Sequence, residues 1–556
     1  MNYSNLVEVY QNLEATTKRL EKVEIISEFL KKIPKENIKQ VIYLLQGKVF
    51  PISSEEKLGM SSQLILKVIQ TSTGIEKQKI ESLWKKQGDL GKVSEELISK
   101  KQQTTLSSRK LTINHVFENL RKIPEFQGQG TINKKVQLVS ELLTNSTPLE
   151  AKYIIKTVLE ELRVGVAAGI IRDSIAKAFD KNVKDVEDAY NLTPDYGEVA
   201  LAAKLDKLSK ISLSPGKPIK VMLAIKVDNI KEGLEAVGSP ALIDYKLDGF
   251  RVVINKKGNQ FWFFTRSMEN VLKQFEELIP VLKKNVKGSS YIIDTEVVGY
   301  DSKTKNYLPF QNISQRIKRK HDIEKIAKEF PVEINVFDVL YYNGKSLMNS
   351  TLRERREILN KIIKQEKRKI VIPKFIVTDK EKEADNFYKF ALKVGMEGVM
   401  MKNLNANYKP GRYVGGWVKV KTILEPLDLT ITKGLYGEGK RANWLSSFTL
   451  SCKSGDKFLE VGKVGTGIKE KNEGVTFKQL TKLLKPLILE QKGKEVILKP
   501  KIIVEVAYEE IQKSPTYSSG YALRFPRLIR LRILDKRIED INTLTDIKHI
   551  YTNQKK

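Results

Sequence analysis

The chain has 556 residues, too many for one hydrophobic core, and the usual domain size points to about three domains. Lysine and arginine number 98 against 67 acidic residues, a net charge of +31, while 41 % of residues are apolar. That balance favours a polyanionic partner, nucleic acid or nucleotide phosphates, although a lysine-rich composition alone would explain part of it. The only cysteine, Cys452, excludes a disulfide framework and a Cys-based zinc site, and the histidines at 115, 321 and 549 are too scattered for a metal cluster. No signal peptide opens the chain and no apolar run is long enough for a bilayer, so a reducing cytoplasm is expected.

Residues 1 to 215 read as helical. Leu6, Tyr10 and Leu13 recur at helical spacing, and Ile26, Phe29, Leu30 and Ile33 continue an apolar stripe. Thr147-Pro148-Leu149-Glu150 carries the cap residue, proline and glutamate of a helix start. A faint repeat relates Ile25–Leu30, Pro34 and an apolar helix ending near Phe50 to Leu138–Leu143, Pro148 and a helix ending near Val166. Chance recurrence in helical sequence would produce such a repeat about as readily. Leu162-Arg163-Val164-Gly165, followed by Gly169, would let backbone N–H groups approach phosphates. The stretch from Lys100 to Lys110 is polar and basic, hence a loop.

The pattern changes near Pro215. From Val221 to about Leu424, strands and helices alternate, which predicts a mixed α+β domain with antiparallel hairpins. Lys257-Gly258-Asn259 is a hairpin turn, and strands are expected at Tyr291–Val298, Val332–Tyr342, Gly398–Met401 and Trp417–Val420. From Glu425 short strands and glycine turns dominate, which fits a small barrel of the OB type. The division expected is therefore 1–215, 216–424 and 425–556. The tail after Asp535 carries no pattern. Gly434 to Arg441 nearly fits a phosphate-binding loop, but it ends in arginine and leads into strand-like sequence, so it reads as a barrel turn.

One stretch organises the chemistry. Ala241, Leu242 and Ile243 lead into Asp244-Tyr245-Lys246-Leu247-Asp248-Gly249-Phe250-Arg251, and Val252, Val253 and Ile254 lead out. Lys246 should sit at a strand end, with Gly249 allowing a sharp bend. A lysine attacks only when neutral, and its ordinary pKa of about 10.4 leaves little free amine at pH 7, so neighbouring cations and burial are needed to activate it. Taken alone, K-x-D-G is equally well a hairpin with a Lys–Asp ion pair. What tips the balance is the ordered set downstream: Glu296, Phe337, Glu397, then Lys419 and Lys421 on one side of a strand, then Arg524 and Arg527. Singly, Glu296 could be a surface acid, Phe337 a core residue, and the two lysines one wet strand face.

In this order, the set resembles the ATP-dependent DNA ligases of the covalent nucleotidyltransferase superfamily, of the archaeal and eukaryotic replicative type. The resemblance covers nearly the whole chain. It implies an all-α DNA-binding domain, an α+β nucleotidyltransferase (ATP-grasp-like) domain and a β-barrel OB-fold. It also implies that Lys246 attacks the α-phosphate of ATP to form a lysyl–AMP. Asp244 would contact the adenine amine or its surroundings. Arg251 and Arg266 would hold ribose and phosphate, Arg412 would contact the nucleotide, and Phe337 would stack on adenine. Glu296 would bond the ribose or help place a metal, and Glu397 would bind Mg2+, with Mn2+ able to substitute. Lys419 and Lys421 would neutralise the α-phosphate; Arg524 and Arg527 would orient pyrophosphate. The implied partner is nicked duplex DNA, bound by a monomer with no membrane involved. Thr295 stands where a glycine is expected. Gln103–Leu106 lies where related archaeal ligases carry a sliding-clamp peptide, but Ser107 and Ser108 replace the expected aromatic anchors, which weighs against clamp binding. An RNA ligase or capping guanylyltransferase would share the lysine chemistry, but not the helical first 215 residues. An NAD-dependent ligase would need a four-cysteine zinc site. A DNA clamp without activity would leave the acids around Lys246 without a task.

Overall fold

In the computed structural model the described residues are all but 55, 101–109, 127, 129, 319–322, 414, 422–423, 438–440, 442, 471–473 and 555–556; side chains at 311, 315, 318 and 412 are also outside the description. The Gln103–Leu106 segment, Ser107, Ser108 and the middle of the Gly434–Arg441 turn therefore lie outside it. The chain forms two compact units. The first comprises Met1–Ile225, Asp248–Lys374 and Asn403–Trp417; the second comprises Lys226–Leu247, Phe375–Lys402 and Val418–Lys556.

The first unit opens with helices from Tyr3–Ala15 to Tyr196–Lys204 around one apolar core that includes Leu6, Tyr10, Ile26, Leu142 and Ile154. The predicted start at Thr147 is a full capping box: Thr147 accepts from the Glu150 N–H while Glu150 accepts from the Thr147 N–H. The two helices of the faint repeat are shorter than expected, Ile38–Leu45 and Pro148–Val158. Each is followed by a glycine of positive φ, Gly47 at 67° and Gly165 at 72°. A Cβ on Gly47 would stand 2.8 Å from that of Leu162, so close packing of the two halves ends the first helix early.

The same unit contains an antiparallel sheet ordered Gln260–Thr265, Phe250–Lys257, Ser290–Gly299, Val332–Tyr342, Lys345–Ser346. The predicted turn at Gly258 joins the first two strands, with Lys257 paired to Gln260. Phe250, Val252 and Ile254 alternate into a core with Tyr291, Ile293 and Val336. Gly249 is needed for a reason other than a bend: a Cβ there would meet the Val297 carbonyl oxygen at 2.5 Å. Thr295 fits where glycine was expected because its hydroxyl is buried and donates to the Val252 carbonyl (2.7 Å). Asp338 and Arg355 form a fully buried pair, Nε–Oδ1 2.8 Å and Nη2–Oδ2 3.0 Å, and Arg355 also donates to the Ser350 carbonyl.

The second unit holds a sheet ordered Phe375–Thr378, Ala241–Lys246, Gly398–Asn403, Trp417–Lys421, Ile225–Lys226. One face is packed by helices: Tyr245 stacks on Phe387 of the Glu381–Lys393 helix, and Gly233 of the Ile230–Val237 helix lies against Met401. Strand alternation turns Asp244, Lys246, Lys402, Lys419 and Lys421 to the other face. The C-terminal part of this unit is sheet-rich. Its strands run Lys457–Val464, Leu445–Ser454, Leu427–Tyr436, Ile503–Ala507, Arg527–Leu531, each paired to the next, and a bridge from Arg527 back to Thr466 joins the ends. Phe448, Leu450, Val504 and Leu528 fill its interior. The tail that carried no sequence pattern is a helix, Leu544–Asn553, capped reciprocally by Thr543 and Asp546.

Candidate active site

In the second unit, Lys246 is the last residue of its strand. Its carbonyl accepts from the Glu397 N–H (3.0 Å), which fixes the Glu397 side chain beside it. Lys246 Nζ pairs with Glu397 Oε2, and Lys421 Nζ lies 3.7 Å from Glu397 Oε1. Lys421 is pinned from the sheet-rich part as well, by Glu509 at 2.7 Å. Burial alone would push the Glu397 carboxyl up, but the Lys246 ammonium, with Lys421 and Arg524, outweighs it and holds the group below the usual carboxylate range. Lys419 is held below the ordinary lysine value, by burial first and then by Lys246 and Lys421, with Glu509 and Glu397 opposing. The sheet face thus gathers three ammonium groups, Lys246, Lys419 and Lys421, against two carboxylates, Glu397 and Glu509, and keeps an excess of positive charge.

Gly398 sets the spacing between Glu397 and these lysines. Its φ is 151°, and a Cβ would meet the Val420 carbonyl oxygen at 2.1 Å. Two residues before Lys246, Asp244 is buried; Lys402 Nζ donates to its Oδ2 (2.6 Å), while Oδ1 meets no partner among the described residues. A buried acceptor of this kind fits a ligand N–H. Arg524 pairs with Glu510 at 3.1 Å, and Arg527 is exposed at the start of its strand.

In the first unit, Arg251 is held by a buried network. Its Nε and Nη2 donate to Asp294 Oδ1 (2.9 Å) and Oδ2 (2.5 Å), Nη1 donates to the Met222 carbonyl (2.6 Å), and Tyr408 donates to Asp294 (2.8 Å). The guanidinium lies over Phe337 and Trp417, centroid distances 5.3 and 5.5 Å, and these rings meet edge to face at 5.9 Å. Glu296 is half-buried, opposite Arg251 on the neighbouring strand. Arg266 is exposed in the turn after Thr265, and Arg412 pairs through its backbone with Leu223, its side chain lying outside the description. Sequence reasoning missed Lys402, Asp294, Tyr408 and Trp417. A lysine ending the apolar run Gly398–Met401, and an aspartate inside Ser290–Gly299, were signals that buried partners exist. Among the described residues no group of three or more metal-ligating side chains forms. Magnesium needs no such cage: one or two carboxylates, water and substrate phosphates suffice, and Glu397 suits that role.

Comparison with known proteins gives the family. Family models match three stretches: the DNA ligase N terminus at residues 2–176, the ATP dependent DNA ligase domain at 221–421, and the ATP dependent DNA ligase C terminal region at 441–535. A DNA ligase of Nanoarchaeum equitans is 47 % identical over 563 residues, spanning 100 % of this chain and 99 % of its own. One of Thermococcus onnurineus is 40 % identical, spanning 100 % and 99 %. Among solved structures, Pmar-Lig_PreS3 has a TM-score of 0.59 at 16 % identity, covering 95 % of this chain and 99 % of that one, a likeness of fold. The chain belongs to the ATP-dependent DNA ligases. It is an enzyme that seals nicks in duplex DNA at the expense of ATP.

Proposed function

We propose that Lys246 is the residue that carries the adenylate. The observation that bears this reading is the cationic sheet face: Lys246, Lys419 and Lys421 around Glu397, on a strand end whose opposite face is packed. In the first step the neutral Nζ attacks the α-phosphorus of ATP. The N–P bond forms, the P–O bond to the β-phosphate breaks, pyrophosphate leaves and the amine loses a proton. Lys419 and Lys421 neutralise charge on the phosphoryl oxygens, which is the main catalytic demand of such transfers. The ion pair with Glu397 must open for the amine to attack. In the second step an oxygen of the 5′-phosphate at the nick attacks the AMP phosphorus, and Nζ leaves and regains a proton. In the third the 3′-hydroxyl attacks the 5′-phosphate and expels AMP.

Asp244 contacts the adenine amine, and Phe337 stacks on the ring. Arg251, anchored by Asp294, holds ribose and phosphate together with Arg266, and Arg412 contacts the nucleotide. Glu296 bonds the ribose hydroxyls or shares a metal, and Arg524 and Arg527 orient pyrophosphate. Glu397 would hold Mg2+, or Mn2+ in its place, and the ion would supply charge neutralisation at the phosphates. The three matched stretches support the division 1–215, 216–424 and 425–556, and the closed run of five strands supports an OB-type barrel, beside an ATP-grasp-like middle domain. We take the enzyme to act as a cytoplasmic monomer.

Mass spectrometry of the full chain with ATP and Mg2+ tests the proposal. The expected result is one AMP on a peptide containing Lys246, and neither adduct nor sealing in Lys246→Ala. Equal sealing by both proteins would reject the mechanism, and an adduct with GTP but not ATP would place the lysine in capping chemistry.

A further inference from the structure

We infer that Lys402 determines which purine the enzyme accepts, by fixing the hydrogen-bonding polarity of Asp244. This rests on the reading of Asp244 as the base contact and names the residue that sets what the contact reads.

Asp244 and Lys246 are two residues apart on one strand, so their side chains share the sheet face on which the nucleotide chemistry is proposed. Asp244 and Lys402 are both almost fully buried, with side chains 2 % and 3 % exposed, and are paired at 2.6 Å. Such a pair gives weak evidence of stabilisation, because desolvating two charges offsets most of their attraction. Its geometry is more informative than its energy. An ammonium has donors and no acceptor, so Lys402 can only occupy an oxygen. It occupies Oδ2 and leaves Oδ1 as a buried acceptor without a partner among the described residues. A buried acceptor left unmatched is costly, so a ligand that brings a donor is favoured and one that brings a second acceptor is rejected. A 6-amino purine brings a donor. A 6-oxo purine brings an acceptor at the same position.

The same logic predicts a reversal. In Asp244→Asn the side chain keeps its shape but has one acceptor and one donor end. Lys402, a donor only, must take the amide oxygen, which turns the NH2 group towards the ligand. The variant should therefore favour a 6-oxo base. In Asp244→Asn with Lys402→Met nothing orients the amide, either end can face the base, and discrimination should be weak. The double variant also removes both buried charges together, so neither is stranded.

The test measures single-turnover formation of the lysyl–nucleotide on the full chain with ATP and with inosine triphosphate, which exchanges the 6-amino group for a 6-oxo group. Melting curves confirm that each variant is folded. Wild type should prefer ATP by up to about 10⁴-fold, the range in which a site with buried polar groups rejects a mismatched analogue. Asp244→Asn should invert that ratio, and the double variant, in which nothing orients the amide, should bring it near one. A purely structural role for the pair would slow both nucleotides alike and leave the ratio fixed. An unchanged ratio in Asp244→Asn overturns the inference at the base contact. A shifted ratio that is identical in the double variant overturns the role of Lys402 while sparing Asp244. Absence of any AMP adduct on wild type would instead remove the reading of Lys246 on which all of this stands.

Discussion

Lys419 is the side chain through which pH should act on the first step. Burial, then the Lys246 and Lys421 ammoniums, hold it below the ordinary lysine value. Below that lowered value it is cationic and can neutralise the α-phosphate; as pH rises through it, the charge is lost. Between the folded and unfolded values the unfolded chain binds more protons, so this group makes folding stability rise with pH where adenylation falls. Lys419→Arg keeps a charge at any working pH, so the alkaline limb of lysyl–AMP formation should move upward, and Lys419→Ala should lower the rate by about 10²–10³. A limb that stays in place in Lys419→Arg would assign it to another group. Glu397 has the opposite sign: its value is lowered on balance, so its contribution to stability is present above the ordinary carboxylate range and is lost as pH falls through the folded value. The sequence exposed these charged residues because each interrupts or ends an apolar strand. Their buried partners were harder to find, since Asp244–Lys402 and Arg251–Asp294 join residues 158 and 43 positions apart. Periodicity assigns a face; it does not assign a partner.

Gly398 shows how a strand rather than a side chain builds the site. It lets the Gly398–Asn403 and Trp417–Lys421 strands approach so closely that Glu397 meets Lys421. Gly398→Ala would set a Cβ against the Val420 carbonyl oxygen in a backbone region that side chains rarely adopt. Overpacking and backbone strain each cost about 1–3 kcal/mol. Thermal melting should drop accordingly, and lysyl–AMP formation should fall in whatever fraction stays folded; a variant of full stability and full rate would show that the spacing is not set there. In the Val332–Tyr342 strand, Asp338→Ala leaves Arg355 charged and buried, which costs about 3–5 kcal/mol. Denaturant midpoints would show it, whereas Phe337, its neighbour in sequence, should affect nucleotide binding with little loss of stability. Element positions were largely legible, because hydrophobic alternation and turn glycines are local signals. Element ends were less so. The helix predicted to reach Phe50 stops at Leu45, since Gly47 must pack on Leu162, a contact that no local pattern encodes. The capped helix Leu544–Asn553 went unseen although Thr543 and Asp546 have the spacing of a capping box.

At the scale of the whole molecule, the net charge of +31 is the feature least tied to any one element, and it makes a separable prediction. A protein that binds duplex through phosphates releases counterions, so the logarithm of its affinity falls linearly with the logarithm of salt, by about 10³–10⁵ between 50 and 200 mM for six to ten contacts. The slope counts phosphates neutralised, not total charge. Only the cations that meet phosphates enter it, so the slope should be far smaller than the net charge. Lys246→Ala removes one amine among 98 lysines and arginines, and that amine is paired with Glu397. Its affinity for nicked duplex and its salt slope should therefore match wild type while sealing is abolished. Titrating both proteins with labelled nicked duplex at several salt concentrations checks this. A shallow slope in both would mean that the excess of lysine reflects composition rather than a DNA-binding surface. A slope reduced by about one in Lys246→Ala alone would mean that the nucleophile itself sits on a DNA phosphate, which conflicts with an amine reserved for AMP.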